Sequence, residues 1–357
     1  MKILKKVFYA ILLLLGVLAI VYMLGPKPEK PNLMARIFKI ESDLKNLETQ
    51  VAENERNTQG LRPDNEARIV WADSVKKEKT PYSVVYLPGF SASQFEGEPM
   101  HRDFAKRYGC NLYLARLEGH GIESKDNLLD FTAETYFESA EKAIAIGKEL
   151  GEKVIVMSTS TGGTLSLIAA SQDADIHALI MYSPNIAIAD KAAKLLNKPW
   201  GLKIVKLVHN NSDYHEFDPK DVDVFTKKYW TWRYRIEALV QLENLVEYGM
   251  NDETFAKVKC PVFAGYYYQD EKNQDPVVSV AATQDMMKKL GTPIAQRYEK
   301  AFPAAKTHVI ACKLRSKQFE TVQTETYKFA EEVLYLVKKP FLNPSLPKES
   351  LGQKEGL

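Results

Sequence analysis

The 357-residue sequence predicts an α/β protein, a mostly parallel, doubly wound sheet with an inserted helical cap, preceded by a transmembrane helix. Three observations carry that expectation. Short runs that are apolar at every position alternate with longer stretches whose apolar residues recur every three and four positions. More than 70 helix-like, aromatic-rich residues separate two of those runs, and residues 7–24 carry no charge.

Composition narrows the class further. With 45% apolar and 26% charged residues the chain has a globular profile, which excludes disordered and collagen-like classes. Basic and acidic residues number 48 and 46, so no field is present that would hold a nucleic acid. Cys110, Cys260 and Cys312 are widely spaced and form no C-x-x-C pair, so they read as buried thiols rather than disulfides or a zinc site.

The uncharged stretch at 7–24 would span about 27 Å as a helix, enough to cross a bilayer. Its end in Tyr22, Met23 and Leu24 favours a retained anchor over a cleaved signal peptide, whose apolar region is shorter and ends in small residues. Lys2, Lys5 and Lys6 precede the span and a mixed Lys27, Glu29, Lys30 follows it, which places the amino terminus in the cytoplasm and the body outside. Pro26, Pro28 and Pro31 make a stiff exit, so residues 1–31 form the anchor unit. Within 32–64, Leu33, Ile37, Ile40, Leu44, Leu47 and Val51 give a helix with one apolar seam. That seam serves either a homodimer through residues 33–51 or docking on the chain's own body.

Strands are expected at 69–72, 83–87, 112–117, 154–157, 179–182 and 262–267, with a last short one near 296–300. All but the last lack polar alternation, as strands buried on both faces do. Helices are expected at 100–108, 133–150, 163–171, 280–290 and 320–337. Residues 65–184 and 258–337 thus form the core and 185–257 the cap, because so long a gap exceeds a simple crossover; 338–357 reads as a loose tail.

The strand at 154–157 runs into Ser158-Thr-Ser160-Thr-Gly162-Gly163 and then a helix. A sharp strand-to-helix turn that projects a nucleophile needs small residues two before and two after it. Around Ser160 these are Ser158 and Gly162; around Ser158 they would be Val156 and Ser160, and the branched valine disfavours that register. The alternative for these hydroxyls is capping of the helix N-terminus. Oxyanion donors are available in the N–H of Thr161 and in that of Phe90, in the turn Pro88-Gly89-Phe90-Ser91. A second loop, after the strand at 262–267, offers Asp270, Glu271 and Asp275, the last directly before Pro-Val-Val-Ser. Near the end comes Ala304-Ala-Lys-Thr-His308.

Leu87-Pro-Gly-Phe90, Arg116-Leu-Glu-Gly-His-Gly121, Ser158-Thr-Ser160-Thr-Gly162, Asp275-Pro-Val-Val and His308 together resemble the serine-dependent α/β-hydrolase family, in its cap-bearing esterase, lipase and aminopeptidase-like branch, over residues 65–337. The resemblance implies that an acid and then a histidine follow the serine in the chain. It points to Ser160, Asp275 and His308, with Asp270 as the alternative acid and Glu271 behind both. His120 precedes the serine and is expected to hold its tight turn by hydrogen bonds. Two departures stand out: Pro88 where many members have histidine, and Ser158 where they have glycine.

The implied activity is cleavage of carboxylic acyl esters by an acyl-enzyme route, with no cofactor or metal. Trp200, Tyr214, Phe217, Phe225, Tyr229, Trp230, Trp232 and Tyr234 in the cap are candidates to line an acyl pocket, which makes a lipid-like substrate the expected partner. A peptidase with the same residues would need an anionic site for a substrate amine, from Glu237, Glu243 or Glu247, although those also read as a solvated helix face. A noncatalytic tethered binding module is the third alternative.

Overall fold

The computed structural model describes residues 2–339. Helices α1 (Lys2–Met23) and α2 (Leu44–Arg56) lead into β1 (Arg68–Val70) and β2 (Thr80–Leu87). There follow α3 (Met100–Tyr108), β3 (Asn111–Leu114), α4 (Ala133–Leu150), β4 (Gly151–Thr159), α5 (Thr161–Ala170) and β5 (Ile176–Tyr182). The inserted segment holds α6 (Gly201–Val208), β6 (Tyr214–Glu216), α7 (Val224–Tyr229), β7 (Arg233–Arg235) and α8 (Glu237–Gly249). The chain then returns through α9 (Asp252–Lys257), β8 (Val262–Tyr266), the hairpin β9 (Tyr268–Asp270) and β10 (Asn273–Gln274), α10 (Val280–Lys289), β11 (Arg297–Ala301) and α11 (Phe319–Glu332).

Seven strands form one sheet in the order β1-β3-β2-β4-β5-β8-β11, parallel except for β1 at one edge. The unbroken apolar runs follow from its two covered faces. Val84, Tyr86, Ile155, Met157, Ile180 and Tyr182 enter the core packed with Phe104, Phe319 and Phe329 of α3 and α11. Their alternates Val85, Leu87, Val154, Val156, Leu179 and Met181 enter the core on the opposite face, with Phe137, Leu165 and Leu245 of α4, α5 and α8. Because β3 and β4 lie on opposite sides of β2, the winding reverses there, which opens a crevice beyond the carboxyl ends of β2 and β4.

The amino-terminal region departs from expectation. Helix α1 is exposed from Ile3 to Met23 and is long and apolar enough to cross a bilayer, a property shared by anchors and signal sequences. The seam helix expected from Leu33 instead starts at Leu44, where Asp43 caps it by accepting from Lys45 and Asn46. Upstream the chain is an extended strap whose hydrogen bonds come from distant side chains. The N–H groups of Asn32, Ala35 and Arg36 donate to Glu134, Gln172 and Glu141, and Asn244 Nδ2 donates to Glu29 O. Those partners replace the bonds a helix would make with itself, and Ile37, counted in the seam, stands fully exposed. Leu47 and Val51 of α2 are buried in the chain's own core. Glu55 fastens α2, accepting from Arg116 Nε at 2.6 Å and Nη2 at 3.0 Å and from the Ala67 N–H.

Of the tail expected over 338–357, residues 340–357 lie outside the described residues. Lys338 pairs with Glu331, and the Lys339 N–H donates to Arg107 O. Cys110 and Cys312 are buried free thiols, and Cys260 is half-buried rather than buried.

Candidate active site

Ser160 alone joins β4 to α5, with φ 53° and ψ −122°. Few non-glycine residues adopt this backbone, and it persists only where the surroundings over-determine it. Here they do: the Ser160 N–H donates to Tyr182 O, while its carbonyl accepts from Gly163 and Asn185. A Cβ on Gly162 would lie 2.2 Å from Leu87 O, so only glycine lets β2 and the turn pass so closely. The Ser160 side chain makes no capping bond, and the residue is 7% exposed. Ser158 Oγ is buried within β4 and has no partner among the described residues.

The loops beyond β8 and β11 bring Asp275 and His308 together. His308 Nδ1 lies 2.7 Å from Asp275 Oδ2, and Asp275 Oδ1 accepts from the Val277 and Val278 N–H groups at 2.9 and 3.2 Å. Burial favours the neutral acid, but the His308 charge and these donors outweigh it and hold Asp275 below the usual carboxylate range. For His308, burial opposes the charge, yet Asp275 and then Glu96 hold the imidazole above its ordinary value. Its Nε2 is buried and unpartnered among the described residues. Ser183 Oγ fixes the loop by donating to His308 O. Asp270 is not brought to this pair: it sits exposed on the β9–β10 hairpin, accepting from Asn273 Nδ2 and from the Lys272 and Asn273 N–H groups. Glu271 is also exposed, accepting from Tyr268 Oη.

The turn after β2 crosses directly in front of Ser160. A Cβ on Gly89 would lie 2.9 Å from Ser160 Cβ, so a side chain there would meet the serine. The N–H groups on either side of Phe90 are claimed: Gly89 donates to Glu96 Oε2 at 2.7 Å and Ser91 to His120 Nε2 at 2.8 Å. His120 in turn donates from Nδ1 to Glu118 O, and burial pushes its pKa down to about 4, keeping it the neutral acceptor that Ser91 needs. The Phe90 and Thr161 N–H groups have no acceptor among the described residues. Glu96, on the short helix Gln94–Gly97, is 3% exposed, and burial raises its pKa to about 7 against the pull of the Gly89 N–H and His308. Sequence reasoning missed Glu96, because nothing local distinguishes it from a surface glutamate.

The cap contributes unevenly. Tyr234 packs edge-on to Phe90 at 5.2 Å between centroids, Tyr229 stacks on Phe95 at 3.9 Å, and the Thr231 N–H donates to Ser91 O. Trp200 lies elsewhere, against the end of α1, and Tyr214 donates to Asp126 beneath Arg233. Of the three cap glutamates only Glu247 is exposed. Glu237 pairs with Lys206 and Arg235, Glu247 pairs with Lys198, and Glu243 is buried, which pushes its pKa up to about 7. Among the described residues no cluster of three or more His, Cys, Asp or Glu is placed to hold a metal ion.

Comparison with known proteins places the fold. Over 122 residues the chain is 28% identical to a thermostable monoacylglycerol lipase of Bacillus sp. (strain H-257), an alignment covering 34% of this chain. The match covers 48% of that relative, so the chain spans about half the length of the curated relative it matches. The fold is similar to a structure from work on the metagenome-derived lipolytic enzymes LipS and LipT, with TM-score 0.60 and 15% identity over 76% of this chain and 99% of the other. It is also similar to a soluble variant of monoglyceride lipase from Saccharomyces cerevisiae, with TM-score 0.52 and 14% identity over 74% and 91%. At such identities these two likenesses concern the fold alone. The family profile described as the alpha/beta hydrolase family matches residues 84–312, most of the sheet together with the cap, and the chain therefore belongs to the alpha/beta hydrolase family.

Proposed function

We propose that this protein is a serine hydrolase that cleaves carboxylic esters with an acyl or lipid-like chain. In this reading Ser160 Oγ attacks the ester carbonyl carbon while His308 Nε2 takes its proton, and Asp275 stabilises the resulting imidazolium and holds the ring in one tautomer. The tetrahedral oxyanion accepts from the Phe90 and Thr161 N–H groups. Collapse breaks the bond to the alcohol, which leaves with the proton from His308. Water then attacks the acyl-serine by the same route, releasing the acid and restoring the hydroxyl.

One observation carries the reading. A serine with positive φ and no capping bond is followed by the Thr161 N–H and faced by the turn that holds the Phe90 N–H, both without an acceptor among the described residues, while Glu96, packed against that turn, acts on His308, whose Nε2 is buried and likewise unpartnered among those residues. A capping serine would have spent its hydroxyl on the helix. The ester class draws support from the monoacylglycerol lipase relative. Against a peptidase, two of the cap glutamates that would bind a substrate amine are already paired with lysine or arginine. We read α1 as a retained anchor, since its last turn is bonded to the cap, with the body on the extracytoplasmic side, since Lys2, Lys5 and Lys6 precede the span. A panel of p-nitrophenyl esters run beside aminoacyl-arylamides tests the assignment. Turnover confined to the esters is expected, and turnover confined to the arylamides would replace it with the peptidase.

A further inference from the structure

Helix α1 does not leave the membrane as a free tether. Val21 O, in its last turn, accepts from the Trp200 indole Nε1 at 3.1 Å, and the Trp200 N–H donates to Pro26 O at 2.8 Å. Gly25 fits directly under the indole, where a Cβ would lie 2.2 Å from Nε1. If residues 7–24 occupy the hydrocarbon, Trp200 stands at the headgroup level, the depth at which tryptophan concentrates.

Helix α6 begins at the next residue and is about 12 Å long, so all of it lies near that level. Its outward stripe is apolar: Ile204, Leu207 and Val208 are 39%, 67% and 74% exposed. Leu202 and Val205, on the other side, are half-buried. A helix facing water would carry polar residues outward, whereas this one turns Lys206 inward to pair with Asp213 and Glu237 and leaves its outward stripe apolar. Lys203 flanks the stripe, its ammonium 4.8 Å from the Trp200 ring centre, as cations flank helices that lie in a membrane interface.

The geometry points to α6 as a membrane-docking element: the bilayer that holds α1 also covers Ile204, Leu207 and Val208, pressing the cap against the lipid surface. Two attachments, span and α6, then define the orientation of the body, where a single flexible tether would leave it free to tumble. The esters this placement selects are those resident in the bilayer, a step that rests on the ester reading above.

The full-length chain, reconstituted in phosphatidylcholine vesicles, tests it. Leu207→Cys and, as a control on the exposed β9–β10 hairpin, Lys272→Cys are each labelled with an NBD fluorophore in a Cys260→Ser background. Doxyl-labelled phosphatidylcholine is expected to quench the label at 207 several-fold more than that at 272. Equal quenching at the two sites overturns the proposal, and so does a label at 207 shielded from the lipid by a second copy. These readouts need no catalysis, so absence of ester hydrolysis would strike the ester reading alone. Where hydrolysis is found, Ile204→Glu/Leu207→Glu/Val208→Glu is expected to raise KM for a vesicle-resident monoacyl ester about tenfold more than for a water-soluble butyrate ester. Equal losses on both substrates would contradict docking.

Discussion

Glu96 accepts the N–H of Gly89 at 2.7 Å and, from the same buried space, acts electrostatically on His308. This carboxylate steadies a turn in which Pro88 stands before the glycine. With His120 holding Ser91, it leaves the Phe90 N–H, which has no acceptor among the described residues, between two anchored neighbours. Glu96→Ala should lower kcat/KM about tenfold, less than the loss on deleting an oxyanion donor, since the Phe90 N–H proposed for that role is loosened and not removed. Glu96→Gln should keep most of the rate while moving the acid limb of the pH profile. A carboxylate near the imidazole favours its protonated form, so removing that charge shifts the limb to lower pH. An unmoved limb would separate Glu96 from His308.

The pairing of His308 with Asp275 makes its own pH prediction. As the proposed base, His308 acts only when neutral, and its pKa is held above the 6.5 of a free imidazole. Rate should therefore fall with acid below a midpoint above 6.5, as measured from kcat/KM across pH. A midpoint below 6.5 would mean that burial, not Asp275, dominates.

Substitutions rank the two aspartates. Asp275→Asn should cost about 10⁴-fold in kcat, because the amide stabilises the wrong tautomer. Asp270→Asn, on the exposed hairpin, should stay within about twofold, as a surface change does. Steady-state kinetics on one chromogenic ester decide between them, and the reverse ranking would move the acid to Asp270.

Gly162→Ala tests the turn itself. The added Cβ would meet Leu87 O, a backbone atom that cannot swing aside, so about 1–3 kcal/mol of destabilisation is expected from overpacking. A thermal melt that does not shift would show that the turn has room.

Helix α2 belongs to the body through Glu55. Removing one partner of this largely buried pair by Glu55→Ala leaves Arg116 without its carboxylate and should cost about 3 kcal/mol. Wild-type stability in the same melt would show that α2 is not docked through this pair.

The inner strands of the sheet were legible because burial on both faces turns them into unbroken apolar runs, which need no partner to be recognised. The small residues around Ser160 were legible for a similar reason: the steric demand of the turn is local. What escaped depends on distant groups. The spacing of Leu33, Ile37 and Ile40 imitates a helix, yet Glu134, Glu141 and Gln172, over 100 residues away, draw that backbone into a strap. Asp270 and Asp275 share one loop, and only the pairing of β9 with β10 turns the first outward. Glu96 is an ordinary glutamate until the fold closes over it, and Trp200 belongs to the cap in sequence but to the end of α1 in space.

The central claim is that Ser160 is the nucleophile. Labelling of the full-length protein by a fluorophosphonate, read by intact mass, tests it most directly. One adduct is expected on the wild type and on Ser158→Ala, and none on Ser160→Ala. Undiminished labelling of Ser160→Ala, or an unlabelled wild type whose cleft admits the probe, would contradict it.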